Sequence, residues 1–470
     1  MKYVILLLLP LQLFSQQTSI LFKNVNIVDV QKGKVIANQN VFIEGDRIKK
    51  ISSKSIVSKG AKIVNASGKY LIPGLWDMHT HIFNQISHRP PNSWYFPLFI
   101  ANGVTSIREM WTKPQDMEQI REWRKFFAAG SFVGPRIASV GTLVDGPAGL
   151  LAPAPGSSVD VVVNANDAHR IVHKLKAAGI DFVKTYSHLS REAYFAIAAE
   201  AKKQGMPFAG HVPYAVGADE GSEAGQKTME HLNQVLETCS GREQELLAVP
   251  GPDWSIAYDK LMVDTYDEAK SQKLFSILAK NHTWQVPTLI RQHMHYFGED
   301  LKYFTESPRL KYVFADEQER WKPYIIGEKK FSPEEKNLKE RVWRAYLNAV
   351  KNMRRAGVEF MSGTDVGTEY IYPGFSLHDE LALLVQAGLT SLEALQTATI
   401  NPAKFLNNSK NLGTIEKGKL ADLVLLYANP LEDIHNTQKI NAVVANGRLF
   451  QRKDLDKLLE DAKTKAQSQK

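Results

Sequence analysis

Apolar and polar residues alternate near both ends of the chain, in the pattern of half-buried β-strands. The alternation runs through residues 20–28 and 40–48, and the Gly45-Asp46 pair predicts a tight turn within the second stretch. Strand-like runs return at residues 421–427 and 440–447. Because a stable sheet needs at least about three strands with an apolar face, the two ends are predicted to join into one small β-sandwich.

Between these ends, short apolar runs alternate with helical patterns, which is typical of a parallel α/β fold. Eight such runs with intervening helices predict a closed (β/α)₈ TIM barrel, in which the chemistry lies at the carboxyl ends of the strands. The predicted strands are residues 70–75, 105–109, 136–141, 182–186, 207–212, 228–232, 284–289 and 359–364. The predicted boundaries are 18–72 for the first part of the β-sandwich, 73–408 for the barrel, 409–452 for the second part and 453–470 for a charged C-terminal helix or tail.

The first residues have the pattern of a cleaved secretory signal. Lys2 precedes an apolar run over residues 3–14, and Ser15-Gln16-Gln17 ends that run. The run is shorter than the ~20 apolar residues that span a bilayer. Residues 1–17 are therefore expected to be removed, which gives a periplasmic or secreted protein with no membrane span after cleavage.

Composition adds two exclusions. A hydrophobic content of 44% over 470 residues excludes a disordered or fibrous chain. The formal net charge of +8 comes partly from lysines in residues 453–470, where a solvated helix explains them. No basic stripe interleaved with aromatic residues suggests nucleic-acid binding.

The lone Cys239 offers no disulfide framework. The oligomeric state, a homo-oligomer included, stays open.

Side chains that can bind metals follow several of the predicted strands. Strand one runs into Asp77-Met78-His79-Thr80-His81, and residues two apart on a strand point to the same side. The others are Lys184, His211 and His231, at the ends of strands four, five and six, and Asp365, which follows strand eight. Neutral imidazole and carboxylate are good ligands for zinc and related cations. Because strand ends converge at the mouth of a barrel, the sequence predicts one metal centre there.

These motifs resemble the amidohydrolase superfamily, in the subtype with two metals bridged by a carboxylated lysine. The most specific stretch is residues 73–81, and residues 401–403 and 413–424 are similar to that superfamily's return into the sandwich. The resemblance implies that His79, His81 and Asp365 hold one divalent cation and that His211 and His231 hold the other. Lys184, as N6-carboxylysine, is expected to bridge both cations, and zinc is the expected metal.

The resemblance also implies a reaction. A hydroxide between the two metals attacks an amide carbonyl, and Asp365 passes the proton to the leaving amine. Residues 103–108 and the Gly210-His211 and Glu230-His231 pairs look closest to the imidazolonepropionase-like and prolidase-like branch, so a dipeptide or N-acyl amino acid is the expected small-molecule substrate. The expected substrate contacts are Tyr186, His188, Tyr214 and Arg108, the last of which pairs with a carboxylate.

Three alternatives stay open from the sequence. A lactonase or a phosphotriesterase-like hydrolase would use the same site, and a metal-binding protein without catalysis would be expected to lack a ligand or Asp365. A mononuclear deaminase of this superfamily would be expected to lack Lys184 and to carry a glutamate soon after His211. Glu220 is too distant from His211 to be assigned that role.

Overall fold

A computed structural model describes residues 19–83, 91–149, 159–249, 255–297, 306–324 and 331–468. The predicted signal, residues 1–17, lies outside these ranges. Among the described helices, none combines the length and the apolar character that crossing a membrane requires.

The two chain ends form one continuous, mostly antiparallel sheet. Its N-terminal half is joined to its C-terminal half where residues 70–73 pair with residues 423–426. Residues 19–29 pair with residues 34–44 on one side and with residues 62–65 and 70–71 on the other. The sheet encloses its own apolar core, which includes Phe22, Ile43 and Leu425. The strands are β1 (Ser19–Asp29), β2 (Lys34–Glu44), β3 (Arg47–Ser52), β4 (Lys62–Asn65), β5 (Tyr70–Pro73), β14 (Leu423–Leu426), β15 (Ile440–Ala445) and β16 (Arg448–Gln451). The predicted joining of the two ends is confirmed.

The second sheet is the parallel barrel. Neighbouring strands pair in chain order from β6 to β13, and β9 lies beside β8. The strands are β6 (Leu75–Thr80), β7 (Val104–Glu109), β8 (Arg136–Asp145), β9 (Asp160–Val161), β10 (Phe182–Thr185), β11 (Phe208–Gly210), β12 (Thr228–Glu230) and β13 (Trp284–Val286). The predicted fold class, a TIM barrel with a β domain built from both chain ends, is confirmed.

Two predicted strands differ in detail. The first was expected at residues 70–75, but residues 70–73 belong to the chain-end sheet as β5, and the barrel strand begins at Leu75. The eighth, expected at residues 359–364, is not a regular strand. It closes the barrel by separate backbone hydrogen bonds: Met361 N donates to Gln285 O at 3.0 Å on one side, and Met78 N donates to Ser362 O at 3.0 Å on the other.

Gly74 carries the chain from one sheet into the other. Its N–H donates to the O of Asp422, the residue just before β14, at 2.7 Å, while the next N–H, of Leu75, donates to Gly103 O at 3.0 Å. A Cβ on Gly74 would lie 2.0 Å from Thr105 Oγ1. Only glycine leaves room for this approach, so Gly74 fixes where β6 starts.

Helices surround the barrel and bury the large apolar core between themselves and the strands. Polar side chains cap the first turns of several helices. Asn164 accepts hydrogen bonds from two N–H groups of the helix that begins at Ala165, and Ser332 with Glu335 forms a capping box on the helix that begins at Pro333. The helices are α1 (Tyr95–Ala101), α2 (Met117–Ala129), α3 (Ala165–Ala178), α4 (Arg191–Gln204), α5 (Ala218–Glu223), α6 (Val235–Thr238), α7 (Glu243–Leu247), α8 (Ile256–Asp264), α9 (Glu268–Lys280), α10 (Leu289–Phe297), α11 (Ala315–Trp321), α12 (Pro333–Arg355), α13 (Phe375–Gln386), α14 (Ser391–Thr397), α15 (Ile400–Phe405) and α16 (Arg452–Ser468). Short 3₁₀ turns occupy Pro114–Asp116, Pro308–Tyr312, Lys322–Tyr324 and Ile434–Gln438.

Candidate active site

Four imidazoles meet at the carboxyl ends of the barrel strands. The ring centres of His79 and His81 are 5.3 Å apart, those of His79 and His231 are 4.6 Å apart, and those of His211 and His231 are 4.9 Å apart. His79 and His81 come from the end of β6, whereas His211 and His231 directly follow β11 and β12. Side chains that are distant in sequence are therefore in contact, as the positions of the strand ends predicted.

Asp365 completes this cluster from the irregular eighth segment. Its Oδ1 lies 3.2 Å from His79 Nε2 and 3.0 Å from His81 Nε2. Its backbone N–H donates to His79 O at 2.9 Å, so the same strand end that carries two histidines also fixes Asp365. Asp365 and His231 both have a left-handed backbone, with φ of 64° and 62°. Such strain in non-glycine residues is tolerated where surrounding contacts fix the backbone, often at functional sites.

Each of three histidines has its Nδ1 paired with a neighbouring side chain. His79 Nδ1 lies 2.7 Å from Glu230 Oε2 and His211 Nδ1 lies 2.7 Å from Ser187 Oγ. His231 Nδ1 lies 2.6 Å from Thr288 Oγ1. A hydrogen bond at Nδ1 fixes the ring and leaves Nε2 for a metal, which is the usual arrangement around histidine ligands.

Lys184 lies in the same cluster and is almost fully buried. Its Nζ is 3.5 Å from His79 Nε2 and 5.6 Å from the centre of the Tyr186 ring. Burial lowers the pKa of the Lys184 amine to about 8, despite the opposing effect of Asp365. An amine with this pKa is partly neutral near pH 7, and a neutral amine is the form that can add carbon dioxide.

The charge states of the cluster suit metal binding. Burial lowers the pKa of His81 to about 4 and that of His231 to about 3, so both rings are neutral at pH 7 and offer lone pairs. Burial alone would raise the pKa of Asp365, but His231 and His79 hold it well below its usual value. The carboxylate is therefore ionised.

The side chains of this cluster are suited to hold metal ions. Ligand atoms of His79, His231 and Asp365 all lie within 4.8 Å of one another. Within the ranges that the structure describes, His81 Nδ1 is a buried ring nitrogen without a hydrogen-bond partner, a position that a cation could satisfy. Neutral nitrogens and a carboxylate are the donor types that zinc prefers. The residues present fit a centre of divalent cations.

Three of the predicted substrate contacts lie along one wall of this site. The Tyr186 ring packs on His211 with ring centres 4.2 Å apart, and the His188 and Tyr214 rings meet edge to face at 5.1 Å. All three side chains are half-buried. His188 N also donates to Asp145 Oδ1 at 2.8 Å, which anchors the wall to the end of β8.

The prediction that Arg108 binds a substrate carboxylate does not fit the structure. Arg108 is buried, and its guanidinium donates to both oxygens of Glu230 at 2.9 and 3.0 Å and to Met78 O at 2.6 Å. The positive charge of Arg108 is therefore already paired with Glu230 inside the barrel. A different cation, Arg291 on α10, lies at the site: its Nε is 3.7 Å from Asp365 Oδ2, and 28% of its side chain is exposed.

The residues that orient the histidines were not predicted from the sequence. Glu230 adjoins His231, and that adjacency was the only signal in the sequence. Ser187 and Thr288 sit among many similar hydroxyl residues and carry no local pattern. Arg291 lies in a helix that follows a strand end, which is a position of interest in a barrel but not a specific one.

Comparison with known proteins identifies the family. Residues 70–450 match the model of the amidohydrolase family. A 5-methylthioadenosine/S-adenosylhomocysteine deaminase of Caldanaerobacter subterraneus is 22% identical over 96% of this chain and 98% of its own length. Among solved structures, a bottromycin amidohydrolase has a TM-score of 0.73 at 21% identity, covering 95% of this chain and 90% of its own. A Xaa-Pro dipeptidase with bound methionine in its active site has a TM-score of 0.65 at 21% identity, over 92% and 100% of the two chains. The chain therefore belongs to the amidohydrolase family and is a metal-dependent hydrolase acting on carbon–nitrogen bonds.

Proposed function

We propose that the protein is an exported hydrolase that cuts the amide bond of a dipeptide or an N-acyl amino acid, with two divalent cations at the barrel mouth. The observation that carries this proposal is the contact between four imidazoles, the Asp365 carboxylate and the buried amine of Lys184, which lies 3.5 Å from His79. A buried lysine among histidines repels a cation as an ammonium but attracts two cations as a carbamate.

The residues would divide between the two cations. His79, His81 and Asp365 would hold one, His211 and His231 the other, and Lys184 as N6-carboxylysine would bind both, with zinc as the proposed metal. When bound, the cations supply Lewis acidity to the scissile carbonyl and make a water molecule more acidic. Glu230, Ser187 and Thr288 keep three of the rings oriented by their hydrogen bonds to Nδ1.

Asp365 is the proposed proton carrier. Its carboxylate is ionised at neutral pH because His231 and His79 lower its pKa, so it is able to accept a proton. As the attacking water forms its bond to the carbonyl carbon, Asp365 takes the proton. It then delivers the proton to the amine nitrogen as the carbon–nitrogen bond breaks, so that a free amine and a carboxylic acid, which then ionises in water, leave the site.

The position of Arg291 favours a substrate that carries a carboxylate. Its guanidinium stands beside Asp365 and is partly exposed, so it is available for a substrate anion near the scissile bond. Tyr186, which packs on His211, and the adjoining His188 and Tyr214 would supply further contacts to the substrate. The Xaa-Pro dipeptidase structure holds methionine in its active site, which is consistent with an amino acid product here.

Deamination is the second candidate, because a relative aligned over nearly the whole chain is named as a deaminase. Two observations oppose it. Lys184 lies at the centre of the site, and Glu220 is paired with the Arg191 guanidinium at 2.6 and 2.7 Å. A lactonase or phosphotriesterase-like activity would use the same residues and is separated only by substrate tests. A metal-binding protein without catalysis is disfavoured because every predicted ligand and Asp365 are present.

Export is supported by residues 1–17 alone, where Lys2 precedes an apolar run. Expression with the full N-terminus in a Gram-negative host, followed by fractionation and N-terminal sequencing, tests it. A mature chain that begins near residue 18 in the periplasm or medium is the expected result. An uncleaved chain in the cytoplasm would contradict export without affecting the proposed chemistry.

The main experiment combines elemental analysis with a substrate screen. The mature protein, purified after growth with zinc and incubated with bicarbonate, is expected to hold close to two metal ions per chain. It is expected to hydrolyse dipeptides or N-acyl amino acids faster than lactones, phosphotriesters or adenosine derivatives. One metal ion or none, or a clear preference for one of the other substrate classes, would contradict the proposal.

A further inference from the structure

Two histidines on helix α3 form a second cluster on the outer surface of the barrel. His169 and His173 are four residues apart, so they lie one above the other on the same face of the helix. Their ring centres are 4.3 Å apart. Glu200 on α4, the neighbouring helix, faces both rings. The cluster thus joins two helices with three side chains that can bind metals.

The distances match those of ligands around one cation. Glu200 Oε1 lies 3.4 Å from His169 Nδ1 and 3.1 Å from His173 Nε2. Ligands at about 2.05 Å from a tetrahedral zinc are about 3.3 Å from each other. The ligand atoms of all three residues lie within 4.8 Å of one another. Small side-chain rotations would therefore complete the geometry.

The surroundings contain a fourth donor and one opposing charge. The Gln204 side-chain nitrogen is 2.8 Å from both His173 Nε2 and Glu200 Oε1. Because the nitrogen and oxygen of a glutamine amide are assigned from their neighbours, rotation of this amide would point its oxygen to the same place. Lys203 Nζ lies 3.7 Å from the other oxygen, Glu200 Oε2, which leaves Oε1 on the histidine side.

The Glu200 carboxylate stays ionised over the whole useful pH range. Hydrogen bonds from Gln204 and His169 lower the pKa of Glu200 to about 2. About half of each histidine side chain is exposed, so the two rings are accessible from solvent. The Glu200 side chain is much less exposed, and its contacts with Gln204 and the two rings hold the carboxylate in place.

We propose that His169, His173 and Glu200 form a surface site for a divalent transition metal ion such as zinc, separate from the centre at the barrel mouth. Imidazole and carboxylate donors suit zinc, nickel and copper better than calcium or magnesium, which prefer oxygen ligands alone. The bound ion would tie α3 to α4. These two helices flank β10, the strand that carries Lys184.

The test measures zinc bound by the whole mature protein at equilibrium. Wild type and the double variant His169→Ala/His173→Ala are dialysed against the same series of free zinc concentrations, and the zinc content is measured by elemental analysis. Wild type is expected to bind one more zinc per chain than the double variant. The single variant Glu200→Gln is expected to weaken this extra binding by at least about tenfold, the lower end of what loss of a partner near a metal costs.

His282→Ala is the matched control. His282 is an exposed histidine 3.6 Å from Glu359, and among the described residues no second imidazole joins this pair. The control variant is expected to bind zinc as wild type does. Unfolding temperatures without added zinc show that each variant is folded. Since the mutated side chains lie outside the barrel mouth, hydrolytic activity is expected to be unchanged. Equal zinc content in wild type and the double variant up to 100-fold excess zinc would overturn the proposal.

Discussion

The Arg108 guanidinium donates to both carboxylate oxygens of Glu230, at 2.9 and 3.0 Å, and one of these oxygens lies 2.7 Å from His79 Nδ1. Although burial opposes ionisation, Arg108 and His79 lower the pKa of Glu230 to about 2. A carboxylate fixed in this way orients the His79 ring and makes its Nε2 a more basic ligand for a metal ion. Arg108 thus contributes to the metal site by holding Glu230 in place, and it does not contact the substrate.

Glu230→Gln is expected to destabilise the protein by about 3–5 kcal/mol, because it leaves a buried guanidinium without its anion. Urea unfolding measures this change, and the affinity for zinc is expected to fall about 10–100-fold at the same time. The control is Glu220→Gln, which breaks the partly exposed pair with Arg191. That change is expected to cost no more than about 1 kcal/mol. Equal effects of the two substitutions would contradict the role given to Glu230.

Lys184→Ala is expected to remove most of the metal and the hydrolytic activity, because the proposed bridge between the cations is lost. Elemental analysis and steady-state kinetics measure both. Lys174→Ala provides the control, since Lys174 is an exposed lysine paired with Asp160. Retention of metal and turnover by Lys184→Ala would rule out the carbamate. Mass spectrometry under native conditions is expected to find an added carbon dioxide in wild type and not in Lys184→Ala.

Asp365→Asn is expected to lower kcat by about 10²–10⁴-fold with a folded protein, since an amide cannot carry the proton. The amide oxygen is still able to bind a metal, so metal content is measured alongside the rate. A lower kcat with nearly full metal content would support Asp365 as the proton carrier. A normal rate would place this role on another residue, and loss of rate that follows loss of metal would assign Asp365 to metal binding alone.

Arg291→Ala is expected to raise KM about 10–100-fold for substrates with a free carboxylate, the effect of one hydrogen bond to a charged group. Substrates whose carboxylate is converted to an amide are expected to be affected much less. Comparing the two substrate series in wild type and in the variant isolates the interaction. An equal increase for both series would show that Arg291 acts through Asp365 and not through the substrate.

Glu380 on α13 gives a prediction for pH. It is fully buried, its Oε2 accepts from Ile290 N at 2.8 Å at the start of α10, and burial raises its pKa to about 8. Because the folded chain holds this proton longer than the unfolded chain does, the free energy of unfolding falls as pH rises from about 4.5 to about 8. Glu380→Gln removes this dependence while keeping an acceptor. Urea unfolding at pH 5 and 8.5 is expected to show a larger gain for the variant at pH 8.5, and an equal effect at both pH values would contradict the prediction.

The positions of the candidate metal ligands could be predicted because a barrel gathers its strand ends at one mouth. His211 and His231 each directly follow a strand, so knowing the strands was enough to place them. Arg108 also lies on a strand, but a sequence does not show whether a guanidinium faces a substrate or a buried carboxylate. Glu230 is the partner that decides this question.

The eighth strand was a different kind of error. Residues 359–364 have the apolar content of a strand, and they do lie between β13 and β6. The segment forms isolated bridges instead of a continuous ladder, however, and the left-handed backbone of Asp365 follows directly. Regular pairing gives way to separate hydrogen bonds at the point where Asp365 must turn toward His79. A local sequence pattern does not predict this irregular backbone, because the irregularity arises from contacts with distant strands.

The pairing of β5 with β14 also bears on the order in which the molecule can be assembled. Pro73 is matched with Leu423, about 350 residues later. During synthesis from the N-terminus, strand β5 therefore lacks its neighbour until almost the whole chain has left the ribosome. Contacts between such distant segments form slowly. An emerging chain would thus stay incompletely folded for most of its synthesis, and a truncation before β14 would leave a sheet edge open beside the strand that leads into the metal centre.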